Sequence, residues 1–143
     1  VVDANVVSRK LAELSLRLAR IRAQSPEDAA TFESDQDAFE LASFNLLLAV
    51  QSCLDIASHL IADEGWEPPA TLGEAFLRLQ DHGVLTSETA KAMKQAAGMR
   101  NLLAHGYGTV NPDHLQEAAV QGVADLERFS REVAAWMAAR QDP

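Results

Sequence analysis

The feature that most constrains this fold is an apolar helical pattern that opens at Ser34-Asp35-Gln36-Asp37 and runs to about Asp63. Phe39, Ala42, Leu46, Val50, Cys53, Ala57 and Leu60 recur with the period of a helix, and Leu47, Leu54 and Ile61 form a second stripe beside them. A helix apolar over that much of its circumference has to be covered on more than one side. The pattern predicts the central helix of a bundle, with one side covered by a second copy of the chain.

The flanking segments supply the other helices. Asp3 caps a first helix expected to run to about Arg22, with Val7, Leu11, Leu14, Leu18 and Ile21 on one apolar stripe. Arg9, Lys10, Arg17, Arg20 and Arg22 lie mostly off that stripe and read as a solvated face, with phosphate contact as the competing reading. Ser25-Pro26-Glu27-Asp28 reads as a brief helix start, Ser as cap and Pro at the first position. Gly65 and Pro68-Pro69 end the central helix, and Thr71-Leu72-Gly73-Glu74 forms a capping box. The short helix it opens should bury Leu72, Ala75, Phe76 and Leu79. Thr86 or Ser87 caps the next helix. Asn111-Pro112 starts the last, whose buried stripe is Leu115, Ala119, Gly122, Leu126, Phe129, Val133 and Trp136. No stretch alternates with period two, so no strand is expected. The expected fold is all-α, an antiparallel four- to five-helix bundle forming one domain over 1–143 and pairing as a two-fold dimer.

Charge and cysteine content narrow the function classes. The net charge is -9 and the pI about 4.8, a balance that repels nucleic acid at long range. Any nucleic-acid partner must therefore meet a local basic site. Cys53 is the only cysteine, which excludes an internal disulfide and a thiolate metal cluster. Its apolar helical setting reads as a buried, inert thiol. No uninterrupted apolar run approaches the length of a membrane span and no signal peptide is apparent, so a cytoplasmic location without membrane attachment is expected.

Chemistry concentrates at Arg100-Asn101-Leu102-Leu103-Ala104-His105-Gly106-Tyr107. In a continuous helix Arg100 and His105 point roughly 140° apart, so they serve one substrate only where the helix ends or where they line a cleft from two sides. Gly106 supplies an ending through a left-handed turn. His105 then sits at the negative end of the helix dipole, which favours its imidazolium. Arg100 offers a planar, permanently charged fork for a phosphate, and Tyr107 adds a hydroxyl past the turn. An imidazole beside a fixed guanidinium suits RNA backbone cleavage without metal or other cofactor. His105 moves a proton at the 2′-hydroxyl or the leaving 5′-oxygen, and Arg100 stabilises charge at phosphorus. Ordinary helix capping by Arg, His and Gly is the competing reading of the same residues. On the central helix, Asp55 and His59 stand one turn apart. They form a surface ion pair or small polar network, or Asp55 reaches the Arg100 site and orients a group there.

The stretch resembles the Arg-x4-6-His-x-Tyr signature of the HEPN ribonucleases and looks most like HepT, the toxin of the HepT/MntA toxin–antitoxin pair. The resemblance extends through Leu54-Asp55-Ile56-Ala57-Ser58-His59, the Leu79 to Leu85 segment and the Gly98-Met99-Arg100-Asn101 lead-in. It implies a helical bundle that dimerises with both motifs facing a shared cleft, and metal-independent endoribonuclease activity with Arg100 and His105 catalytic. Asn101, Tyr107 and Asp55 would support them. It also implies silencing by an MntA-like nucleotidyltransferase antitoxin that adenylylates Tyr107, the only tyrosine in the chain. Two positions depart from similar sequences: Gly106 replaces a residue that is often charged, and Gln51 stands where a Glu is common. Lys91, Lys94 and Arg100 form a candidate basic strip. A non-catalytic HEPN-like module partnering a nucleotidyltransferase, and a plain helical dimerisation domain, are the alternatives.

Overall fold

The computed structural model of the 143-residue chain describes residues 2–24, 28–106 and 110–141. The described residues are helical and contain no strand. In chain order the helices are α1 (Ala4–Gln24), α2 (Ala29–Ser34), α3 (Gln36–Glu64), α4 (Leu72–Asp81), α5 (Ser87–His105), α6 (Pro112–Glu117) and α7 (Val123–Gln141). A π-helical turn, Ala118–Gly122, joins α6 to α7.

Side-chain caps set most of these boundaries. Asp35 Oδ1 accepts from Ala38 N at 3.1 Å and opens α3. Gly65 closes it in the left-handed region at φ 70°. Thr71 Oγ1 accepts from Glu74 N, while Glu74 Oε2 reaches back to Ala70 N at 2.9 Å, one residue earlier than a standard capping box. Thr86 rather than Ser87 caps α5, and Asn111 Oδ1 caps α6 ahead of Pro112. The expected cap of α2 differs. Asp28 accepts from Thr31 N at 3.1 Å and starts the helix at Ala29, while Ser25, Pro26 and Glu27 lie outside the described residues.

The core follows the predicted stripes. Val7, Leu14, Leu18 and Ile21 of α1 pack on Ala42, Leu46, Ala49, Val50, Cys53, Ala57 and Leu60 of α3 as parts of one buried cluster. Phe76 of α4 meets Phe129 of α7 edge-to-face at 5.6 Å between centroids, and Phe32 meets Phe39 the same way at 6.2 Å. Burial pushes the Cys53 thiol far up, so it stays protonated and unreactive. Leu72, expected inside, is 42% exposed, because α4 is only beginning there and its packed face starts at Ala75. By length and hydropathy α3 matches a membrane-crossing helix, although no apolar run of that length was expected from the sequence. More than half of its apolar window is buried within the bundle.

Covered on its α1, α4 and α5 sides, α3 still leaves one strip open. Leu41 and Phe44 on it are 43% and 54% exposed, and Leu102 of α5 is 52% exposed. Gln51 and Asp55, one and two turns beyond Leu48, continue the same strip. The strip therefore runs from apolar to polar as it passes α5.

Candidate active site

Arg100 sits half-buried on α5 and faces α3. Its Nε donates to Gln51 Oε1 at 3.2 Å, and its Nη1 donates to Asn101 Oδ1 at 3.2 Å. Gln51 Nε2 donates in turn to Asp55 Oδ1 at 3.0 Å. Asp55 Oδ2 lies 3.8 Å from Lys10 Nζ on α1. The result is one polar chain, Arg100–Gln51–Asp55–Lys10, crossing from α5 over α3 to α1. Its neighbours fix the orientation of the Gln51 amide, oxygen toward the guanidinium and nitrogen toward the carboxylate.

Asp55 thus reaches the Arg100 site, through Gln51. The expected Asp55–His59 pair does not form. Each of these residues has a partner one turn away on the side facing away from the other. Asp55 turns to Gln51, and His59 Nε2 lies 3.0 Å from Asp63 Oδ2.

His105 is the last residue of α5 and is exposed. Gly106 closes the helix without the expected left-handed turn. Its φ is -137°, and its amide still donates to Leu102 O at 2.7 Å, so the i to i−4 ladder continues one residue past His105. With α5 helical through His105, its side chain leaves the helix roughly 140° from that of Arg100. One chain therefore presents the guanidinium and the imidazole from two sides of a helix end. Tyr107 lies outside the described residues.

The strip of Lys91, Lys94 and Arg100 does not assemble. On an α-helix Lys94 and Arg100 are about 120° apart. Lys94 lays its stem along Gly73 of α4, where an added Cβ would stand 3.0 Å from Lys94 Cγ, while Arg100 faces α3. Basic residues reach the site from α1 instead. Lys10 pairs with Asp55, and Arg17 Nη1 donates to Asn45 Oδ1 at 3.2 Å. Asn45 is 3% exposed and donates its own amide to Gln24 Oε1 at 3.2 Å. The sequence favours a solvated face for these α1 cations, with phosphate contact as the competing reading, and does not pair them with α3. The available signal was Asn45 itself, a polar residue on an otherwise apolar helix.

Two depressions open along α3, the second of them lined by Gln51. One of about 300 Å³ lies between Phe44, Leu47 and Leu103. The other, about 250 Å³, lies between α1 and α3 with Leu16, Arg17, Leu48, Gln51 and Asp55 in its walls. A basic fork, a carboxylate, two amides and adjoining open apolar surface can hold a phosphodiester and its bases. His105 stands exposed at the C-terminal end of the same helix that carries Arg100.

The profile of the family described as Ribonuclease HepT-like matches residues 13–133. The chain is 24% identical over 125 residues to the mRNA nuclease HepT of Shewanella oneidensis, a match spanning 87% of this chain and 93% of that protein. It is 27% identical over 92 residues to the tRNA nuclease HepT of Aphanizomenon flos-aquae, spanning 64% and 63% of the two chains. Among solved structures, a tri-AMPylated Shewanella oneidensis HEPN toxin in complex with MNT antitoxin superposes with a TM-score of 0.84. It is 22% identical and covers 93% of this chain and 99% of that one. A Bacillus subtilis cytosolic protein of unknown function superposes equally well at 17% identity, covering 99% and 95%. At such identities the superpositions speak for the fold, the HEPN helical bundle. With the profile spanning most of its length, the chain belongs to the HepT-like ribonuclease family.

Proposed function

We propose that this chain is a toxin endoribonuclease that cuts RNA through attack of the 2′-hydroxyl, with Arg100 and His105 as its catalytic pair. The observation that carries the reading is the polar chain Arg100–Gln51–Asp55. It holds a permanently charged fork in one pose beside open surface, in the segment matching the family signature. Phosphoryl-transfer chemistry of this kind needs a positioned cation for the charge at phosphorus and a group that exchanges protons. Arg100 fills the first role and His105 the second, with no step that calls for a metal ion. Asn101 restrains the guanidinium from within α5. DNA lacks the 2′-hydroxyl and survives.

A two-fold dimer completes the site. The guanidinium and imidazole of one copy leave α5 on different sides, so two copies facing one cleft bring an Arg100 and a His105 together. Exposed Leu41, Phe44 and Leu102 adjoin the site and supply apolar surface for that contact. Control is assigned to a nucleotidyltransferase antitoxin that adenylylates Tyr107, a reading supported by the relative described as tri-AMPylated and bound to an MNT antitoxin. Adenylate next to the motif brings bulk and negative charge against the phosphate site.

The net charge of -9 favours one competing reading, a non-catalytic helical partner of a nucleotidyltransferase. Incubation of purified protein with RNA and with DNA of the same sequence, in chelator, separates the two. The toxin reading expects RNA alone to be cut and His105→Ala to be inactive with unchanged helical content. Intact RNA at high protein concentration favours the partner reading.

A further inference from the structure

The groove between α1 and α3 shares Gln51 and Asp55 with the polar chain that holds Arg100. Leu16, 57% exposed, and Leu48 give it an apolar side. Its polar edge has two distinct parts. Arg17 comes from α1, anchored through Nη1 by the buried amide of Asn45. A guanidinium carries five N–H donors, and this anchor engages one of them. Asp55 comes from α3, its Oδ1 already accepting from Gln51 and its Oδ2 beside Lys10. Each carboxylate oxygen can accept a further bond. Glu13 is the second acid of the groove, so Arg17 and Lys10 balance Glu13 and Asp55, and the groove offers no net positive charge. That balance suits a neutral ring with a defined donor and acceptor edge better than a phosphate.

We infer that the α1–α3 groove is a guanine subsite for a nucleotide flanking the scissile phosphate, with Arg17 and Asp55 reading the base; this rests on the RNA-cleaving reading above. Guanine presents two acceptors, O6 and N7, and beside them two donors, N1–H and the 2-amino group. An Arg fork pairs with the first set and a carboxylate with the second. Adenine places an amino group where O6 would be and an acceptor where N1–H would be, so it opposes both partners. Cytosine likewise presents an amino group and an unprotonated ring nitrogen. Uracil keeps one acceptor and one donor. The expected order is guanine, then uracil, then adenine and cytosine. Through Gln51, shared by the groove and Arg100, a seated base sets the register of the backbone at the guanidinium.

The test uses uncleavable 2′-O-methyl hexanucleotides of cytidine with one central position varied among the four bases. Binding is measured by fluorescence anisotropy, alongside cleavage of the matching unmethylated RNAs. The guanine oligonucleotide is expected to bind about tenfold more tightly than those of adenine and cytosine. Arg17→Ala should bring all four within twofold of one another and leave the cytidine affinity in place. Because Arg17 also satisfies Asn45, Arg17→Lys is the second variant. It keeps the stem and charge, loses the fork and should lose the preference as well. Equal binding of all four by the unaltered protein, or a guanine preference surviving in both variants, overturns the subsite. RNA cut without base preference rejects the subsite and retains the ribonuclease. Guanine preference on RNA that is never cut does the reverse.

Discussion

Arg100 Nε donates to Gln51 Oε1 at 3.2 Å, so the guanidinium of α5 is held by a neutral amide of α3. The carboxylate that completes the network, Asp55, stands one side chain further away, behind Gln51. A carboxylate in direct contact would pair with Arg100 and offset the charge a phosphate is to meet. The amide fixes the pose and leaves the charge intact. Gln51→Glu is therefore expected to raise KM for RNA while helical content stays unchanged. Gln51→Leu removes the tether and should lower kcat roughly tenfold, the scale of one hydrogen bond to a charged group. Steady-state kinetics on one RNA separates the two effects; identical behaviour of both variants would contradict this division of roles.

A second prediction concerns assembly. Phe44 and Leu41 lie exposed on α3, away from the core cluster, so Phe44→Glu spares the fold. If this strip is the two-fold contact, Phe44→Glu shifts the sedimenting species from dimer to monomer at micromolar concentration and removes ribonuclease activity. A monomeric, fully active unaltered protein would contradict the shared cleft.

The first turn of α5 provides a stability test remote from the site. Thr89 is fully buried, and its hydroxyl accepts from Arg128 Nε at 2.8 Å and donates to Glu132. Glu132 also accepts from Thr86 N at 2.7 Å, tying the start of α5 to α7. Thr89→Val keeps the shape but removes two hydrogen bonds to charged groups, leaving Glu132 with Thr86 and Arg128 with Glu88 and Asp125, which costs about 1–3 kcal/mol. Urea unfolding should show that loss with an unchanged slope, and RNA cleavage by the folded fraction should be unaltered.

Control by adenylylation makes a prediction readable by mass. With ATP, magnesium and the cognate nucleotidyltransferase, the protein should gain one or more adenylate units, and activity should fall in proportion. Tyr107→Phe should gain none. An equal gain on that variant would move the modification elsewhere and leave the ribonuclease assignment standing.

Much of this architecture was legible in the residues. The stripes of α1 and α3, and the caps at Asp35, Thr71, Thr86 and Asn111, follow from local rules, because period and capping are properties of neighbours in sequence. The π-helical turn at Ala118–Gly122 was not legible. Its register slip leaves the apolar stripe of the last helix nearly unbroken, with Leu115, Ala119, Val123 and Leu126 all buried. In the candidate site, the link from Asp55 toward Arg100 was available as one of two readings, but its intermediary was not. Gln51 stood out only as a departure from similar sequences, and which residues an amide bridges depends on packing between helices. The partners of Lys10 and Arg17 escaped for the same reason. The conformation of Gly106 shows a limit of residue preference: glycine permits the left-handed turn, but the ladder bond to Leu102 holds the helix without it.

The central claim is that Arg100 and His105 cleave RNA through its own 2′-hydroxyl, and the ends of the products test it most directly. Mass spectrometry of a short RNA cut by the purified protein in chelator should find a 2′,3′-cyclic phosphate on one fragment and a 5′-hydroxyl on the other. Neither Arg100→Ala nor His105→Ala should produce them. Fragments ending in 3′-hydroxyl and 5′-phosphate, or the same fragments at undiminished yield from His105→Ala, would contradict the account.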